Sequence, residues 1–164
     1  MINQVTVGAP DIAGTSGWAL VQGSADNGFS GDGLGGKAAA LFGWKAGRFD
    51  ATVGAASEKR GVFYDGGGRL LGVDGTQGEI QDSTSWSVFG RLGLDLGDSA
   101  RLELLANRFA VEGNGNYAIV TGNRLTGLPT SAGKGTPPGI QPTNRVETLS
   151  LMLTDDLAGG NLMT

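Results

Sequence analysis

Four carboxylates, Asp95, Asp98, Asp155 and Asp156, are the first residues in this chain to consider for acid–base work or cation ligation. Each stands in a stretch that reads as a turn, where aspartate is favoured because its side chain accepts hydrogen bonds from nearby backbone, so a structural role is expected for all four. Gly31-Asp32-Gly33-Leu34-Gly35-Gly36 has the G-x-G-x-x-G spacing, but a dinucleotide site needs a buried strand before that motif and a helix after it. The alternating segment Ala38 to Trp44 follows instead, and the motif reads as a loop. Gly133-Lys134 lacks the earlier glycine and the following Ser or Thr of a phosphate-binding loop, so Gly127 to Thr136 reads as a flexible surface loop. The 164 residues include no cysteine and no histidine. That removes disulfides, thiol catalysis, Cys/His zinc sites and histidine-based triads, and the expectation is a protein that is not an enzyme, with no metal and no cofactor.

Lys59, Arg60, Tyr64, Arg69, Tyr117, Asn123 and Arg124 fall in long polar stretches. Arginine and tyrosine there have the chemistry to hold an anionic chelate, although loops expose such residues by default. Arg60, Tyr64, Arg69, Tyr117 and Arg124 are therefore the ligand-binding candidates. The formal net charge is -4 and the 12 basic residues are scattered, which argues against nucleic acid as a partner because phosphate neutralisation needs clustered cations.

The elements that must position these residues are strands. Glycine accounts for 31 residues and proline for 5, charged residues for 17%, and mean hydropathy is -0.06, a composition of sheet with many turns. In Ser83 to Gly97 the even positions Trp86, Val88, Leu92, Leu94 and Leu96 are apolar and the odd positions mostly small or polar, the period of a two-faced strand. Arg48 to Glu58, Ala38 to Trp44, the run from Arg101 and the run around Leu149, Leu151 and Leu153 repeat the alternation, and Trp18 to Ser24 is a sixth candidate. Lys45 to Gly47, Gly97 to Ser99 and Asp155 to Gly160 are short turns, whereas Ala25 to Gly33, Lys59 to Asp82 and Gly113 to Thr143 are long loops. Short turns on one edge and long loops on the other describe a bacterial transmembrane barrel. Trp18, Trp44 and Phe49 are expected near the short-turn edge and Trp86 near the long-loop edge, like interfacial aromatic girdles. The start of the chain reads as no secretory leader, and its apolar runs fall far short of the roughly 20 residues of a membrane helix.

Ile2-Asn3-Gln4-Val5-Thr6 resembles the last plug strand of TonB-dependent outer-membrane receptors. Leu94-Asp95-Leu96-Gly97-Asp98 followed by Arg101-Leu102-Glu103-Leu104 resembles an early barrel hairpin of that family, and Asp155 to Gly160 a later periplasmic turn. The resemblance implies an all-β antiparallel up-and-down meander, a partial transmembrane β-barrel with long outer loops and short periplasmic turns. Residues 1–14 would be the end of the plug and a linker, and 15–164 the first part of the barrel. It implies residence in the cell outer membrane, contact with its lipid, a TonB complex engaged through an N-terminal region this sequence does not show, and uptake of a scarce small-molecule solute such as a ferric siderophore. Haem, cobalamin and oligosaccharides stay open as substrates. Six strands cannot close a barrel of the family's usual size of about 22. The alternative from a different class is a small complete barrel or secreted Gly-rich β protein with an adhesive or structural role; a soluble sandwich-type enzyme is a third reading.

Overall fold

The computed structural model describes residues 13–26, 28–72, 81–157 and 160–163. The plug-end segment at Ile2 to Thr6 and the tip of the last turn lie outside them. The expected alternation becomes long strands: β1 (Gly14–Ser24), β2 (Gly35–Ala46), β3 (Phe49–Arg60), β4 (Ser83–Asp95) and β5 (Ala100–Gly113). Then come two short strands, β6 (Tyr117–Val120) and β7 (Ser131–Lys134), the long β8 (Thr143–Leu157) and β9 (Gly160–Met163). The main sheet runs β1-β2-β3-β4-β5-β8-β9 with every neighbour antiparallel, an open meander whose edges are β1 and β9. No helix among the described residues is long and apolar enough to cross a membrane.

The turn between β2 and β3 is only Gly47-Arg48, closed by the pair Ala46↔Phe49. Gly47 has φ +58, which a two-residue turn of the II′ kind demands at that position and glycine accepts without a steric penalty. On the opposite edge the long connections run through 25–34, 61–82 and 114–142.

Register decides which side chains share a face. Phe42, Val53 and Gly90 stand in one cross-strand row and Trp44, Ala51, Leu92, Leu104 and Leu151 in another. Phe49, Leu94, Leu102 and Leu153 form the next row, and Val88 and Leu149 lie above on the same side. Among the described residues this apolar face has no second layer against it: Leu149 is 76% exposed and Leu151 65%. Trp18 does not belong to it. The sequence placed Trp18 beside Trp44 at one edge, but Trp18 pairs with Leu41 whereas Trp44 pairs with Thr15. Because side chains alternate at every residue, Trp18 points to the other side of the sheet.

That other face is charged near its short-turn end. Arg101 reaches from β5 across β4 to Asp50 on β3 at 2.5 Å and also binds Asp95 at 2.6 Å, while Arg91 pairs with Glu103. Asp95 is thus the last residue of β4 and an ion-pair partner. Asp155 and Asp156 also lie in a strand, β8, so of the four carboxylates read as turn residues Asp98 alone sits in a turn. The Asp50 side chain is only 2% exposed. Losing Arg101 would strand a buried charge, an error of about 3–5 kcal/mol. Gly93 stands directly opposite Asp50, and a Cβ there would meet the Asp50 carboxylate oxygens at 2.5 and 2.7 Å. Arg101 crosses β4 only because Gly93 has no side chain. Gly90, on the apolar face, has nothing within 4 Å of such an atom.

Gly93→Ala is therefore expected to lower the denaturation midpoint of the folded chain in detergent by an amount worth about 1–3 kcal/mol, the usual cost of overpacking. Gly90→Ala in the same strand should stay within about 0.5 kcal/mol of the parent. Equal effects would show that the Gly93 gap does not carry the charge cluster.

Candidate functional site

The long connections fold against one another above the sheet. Gly127 to Thr136, expected to be flexible, instead contains β7, which pairs with β6 from Tyr117↔Lys134 to Val120↔Ser131. The hairpin closes over a small apolar core of Val62, Tyr117 and Ala132, with Tyr64 and Leu70 packed beside it. Three connections contribute to that cluster and its ties. Val62 N–H donates to the Asp32 carbonyl at 2.9 Å, and Lys134 Nζ lies 2.8 Å from Asp32 Oδ2. The Gln81 side chain accepts from Phe63 N–H and donates to the Gly72 carbonyl, both at 2.9 Å.

Hydrogen bonds from Lys134 and from the Tyr117 phenol hold the Asp32 carboxyl below the usual carboxylate range. Burial, reinforced by that carboxylate, pushes the Tyr117 phenol up, so it stays a protonated donor. A second clasp forms at Asp82, whose φ of +48 turns the chain sharply into β4. Its carboxylate accepts from Asn114 Nδ2 at 3.1 Å and from Asn116 N–H at 3.1 Å. Between the two clasps opens a polar cleft of about 730 Å³ that Lys59, Arg60, Asn114 and Asn116 help to line. That volume falls in the range of small-molecule sites, about 300–1,000 Å³.

The structure separates the residues singled out by sequence. Lys59 and Arg60 reach the cleft, where Arg60 is tied to Glu58 at 2.7 Å. Tyr117 lines it but is 6% exposed, and its ring belongs to the loop core. Tyr64 packs beside that core and borders a separate shallow cleft with Asp26 and Asp65. Arg69 is paired with Asp65 at 2.8 Å. Arg124 and Asn123 lie elsewhere, in a tight turn closed by two bonds between Asn123 and Leu128. Asp32, Asp82, Asn114, Asn116 and Lys134 shape the cleft and were not singled out for that role; their partners are remote in sequence, and no local pattern announces them. Among the described residues no group of three or more acidic side chains is placed to hold a metal ion.

No family model matches the chain, and no solved structure matches it. It is similar to the rhizobactin receptor of Rhizobium meliloti (strain 1021), 27% identical over 151 residues, which takes in 88% of this chain and 20% of that protein. The chain thus spans about a fifth of the length of that curated relative.

Because the folded-state pKa of Asp32 is depressed, the tie to Lys134 contributes above the ordinary carboxyl range and is lost as pH falls below about 4. Asp32→Asn should reproduce that loss at neutral pH. Amide exchange of the β6–β7 hairpin should then quicken several-fold while β4 and β5 keep their protection. Unchanged hairpin exchange would show that the Asp32 tie does not hold the loops together.

Proposed function

We propose that this chain is part of a TonB-dependent outer-membrane receptor that captures a scarce solute outside the cell and passes it inward by binding and gating, without catalysis. One observation carries the reading: an apolar face crosses the short-turn half of the main strands, with no layer covering it among the described residues, and gives way on β5 and β8 to the Arg108–Glu147 and Arg145–Glu112 pairs towards the long loops. From Trp86 to Leu96 the chain advances about 33 Å at about 3.3 Å per residue, or about 25 Å once tilted by about 40°. That is the height of the lipid-facing band of such barrels. Turn lengths support it, since the short turns share one edge and the long connections the other. The second face, with its buried Asp50 and the half-buried Arg101 that pairs with it, would line the lumen. The interlocked loops and their polar cleft would face the medium, and a ferric siderophore is the substrate class favoured by the similarity to a rhizobactin receptor.

The chain contains no cysteine, so single cysteines report topology cleanly. Leu125, 97% exposed, and Ile140, 98% exposed, should react as cysteines with a membrane-impermeant maleimide on intact cells. Asp98→Cys, in the short β4–β5 turn, should react only after the cells are broken. The reverse pattern, or protection of both loop positions, would sink the orientation. Gene disruption should also abolish binding of iron(III)-rhizobactin or another ferric chelate to cells; unchanged binding, with the labelling pattern intact, would overturn the substrate class alone.

A further inference from the structure

We infer that the apolar face carries a seat for one anionic phospholipid, built around Ala51 and served by Arg48 of the β2–β3 turn, the residue next to the lining Phe49; this rests on the membrane reading above. Ala51 lies directly between Trp44 and Leu92 in one cross-strand row. Its methyl group is far shorter than the side chains around it, and a depression of about 200 Å³ results, ringed by Trp44, Phe49, Leu92, Leu94, Leu102 and Leu104. The lining is almost wholly apolar and the volume too small for the solute sites of about 300–1,000 Å³. It suits a stretch of acyl chain, the material the rest of this face would meet.

Charge argues for the headgroup. Arg48, the residue before Phe49, is exposed in the short turn and makes no ion pair among the described residues. Register places no acidic side chain on the apolar face of β2, β3 or β4. The acidic residues Glu112 and Glu147 on that face lie towards the long-loop end, already paired with Arg145 and Arg108. An anionic headgroup therefore meets a guanidinium without an ion-pair partner at the short-turn edge and no carboxylate on the same face of these strands, since Asp50 and Asp95 belong to the other face and are paired with Arg101. Trp44 stands at the same level, where an indole N–H keeps a polar partner while its ring stays in the apolar layer.

The test uses the full chain in vesicles with Trp18→Phe and Trp86→Phe, leaving Trp44 as the only indole. Its fluorescence is compared with brominated phosphatidylglycerol and brominated phosphatidylcholine at equal mole fraction. Trp44 should be quenched by both, with a roughly five-fold relative preference for phosphatidylglycerol, the scale of one surface cation against anionic lipid. Arg48→Gln should bring the preference to about one without removing the quenching, and Arg124→Gln, in the distant loop, should leave it unchanged. Equal quenching by the two lipids in the parent, or a preference that survives Arg48→Gln, overturns the seat while the membrane reading stands. No quenching by either lipid overturns both.

Discussion

Side chains leave a strand alternately to two sides, and this sheet depends on that constraint everywhere. Once Trp44, Ala51, Leu92, Leu104 and Leu151 share a row, every second residue of each strand is committed to the same side and the residues between to the other. A slip of one residue anywhere would carry the apolar set onto the charged face. A soluble sheet with such a face buries it under a helix or another sheet. Here no second layer is present among the described residues, and burial is found instead at Asp50 and Thr52 on the charged face, 3% and 1% exposed.

The two faces are held by different physics. Low-polarity surroundings suit the apolar rows, which need only surface area removed from water. On the other face Arg101 and Arg91 bind Asp50, Asp95 and Glu103, contributed by β3, β4 and β5. The partners are separated by up to 51 positions in sequence, so the network fixes strand order as well as charge balance. Above the sheet, Asp32, Lys134 and Tyr117 do for the loops what Arg101 does for the strands: a few directed polar contacts hold together segments whose apolar core is too small to do so.

Strands and turn lengths were legible in the sequence because both are local. Ser83 to Gly97 alternates without ambiguity, and β5 takes its register from it through the short β4–β5 turn, as β2 and β3 share theirs through Gly47-Arg48. Trp18 was misplaced because Trp18, Ala19, Leu20 and Val21 are all apolar, so β1 has no pattern of its own and only pairing with β2 assigns its faces. The β6–β7 hairpin escaped notice for another reason: two four-residue strands, separated by a stretch rich in polar and turn residues, carry no usable period. Asp95 reads as a turn residue because it stands just before the turn, whereas its partner, Arg101, lies just beyond it. Tyr117 looked like an exposed ligand contact in a loop, and its burial depends on Val62 and Ala132, which no spacing rule connects to it.

The central claim is that the even-numbered residues of β4 face lipid and the odd-numbered ones water. Nitroxide labels placed one at a time at residues 84–95 of the membrane-inserted chain read this directly, through collision with oxygen, which concentrates in lipid, and with a water-soluble nickel chelate. The account predicts a period of two, with oxygen contact highest at positions 86, 88, 92 and 94 and nickel contact highest at 85, 87, 89 and 91. No alternation, or alternation of the opposite phase, would contradict it.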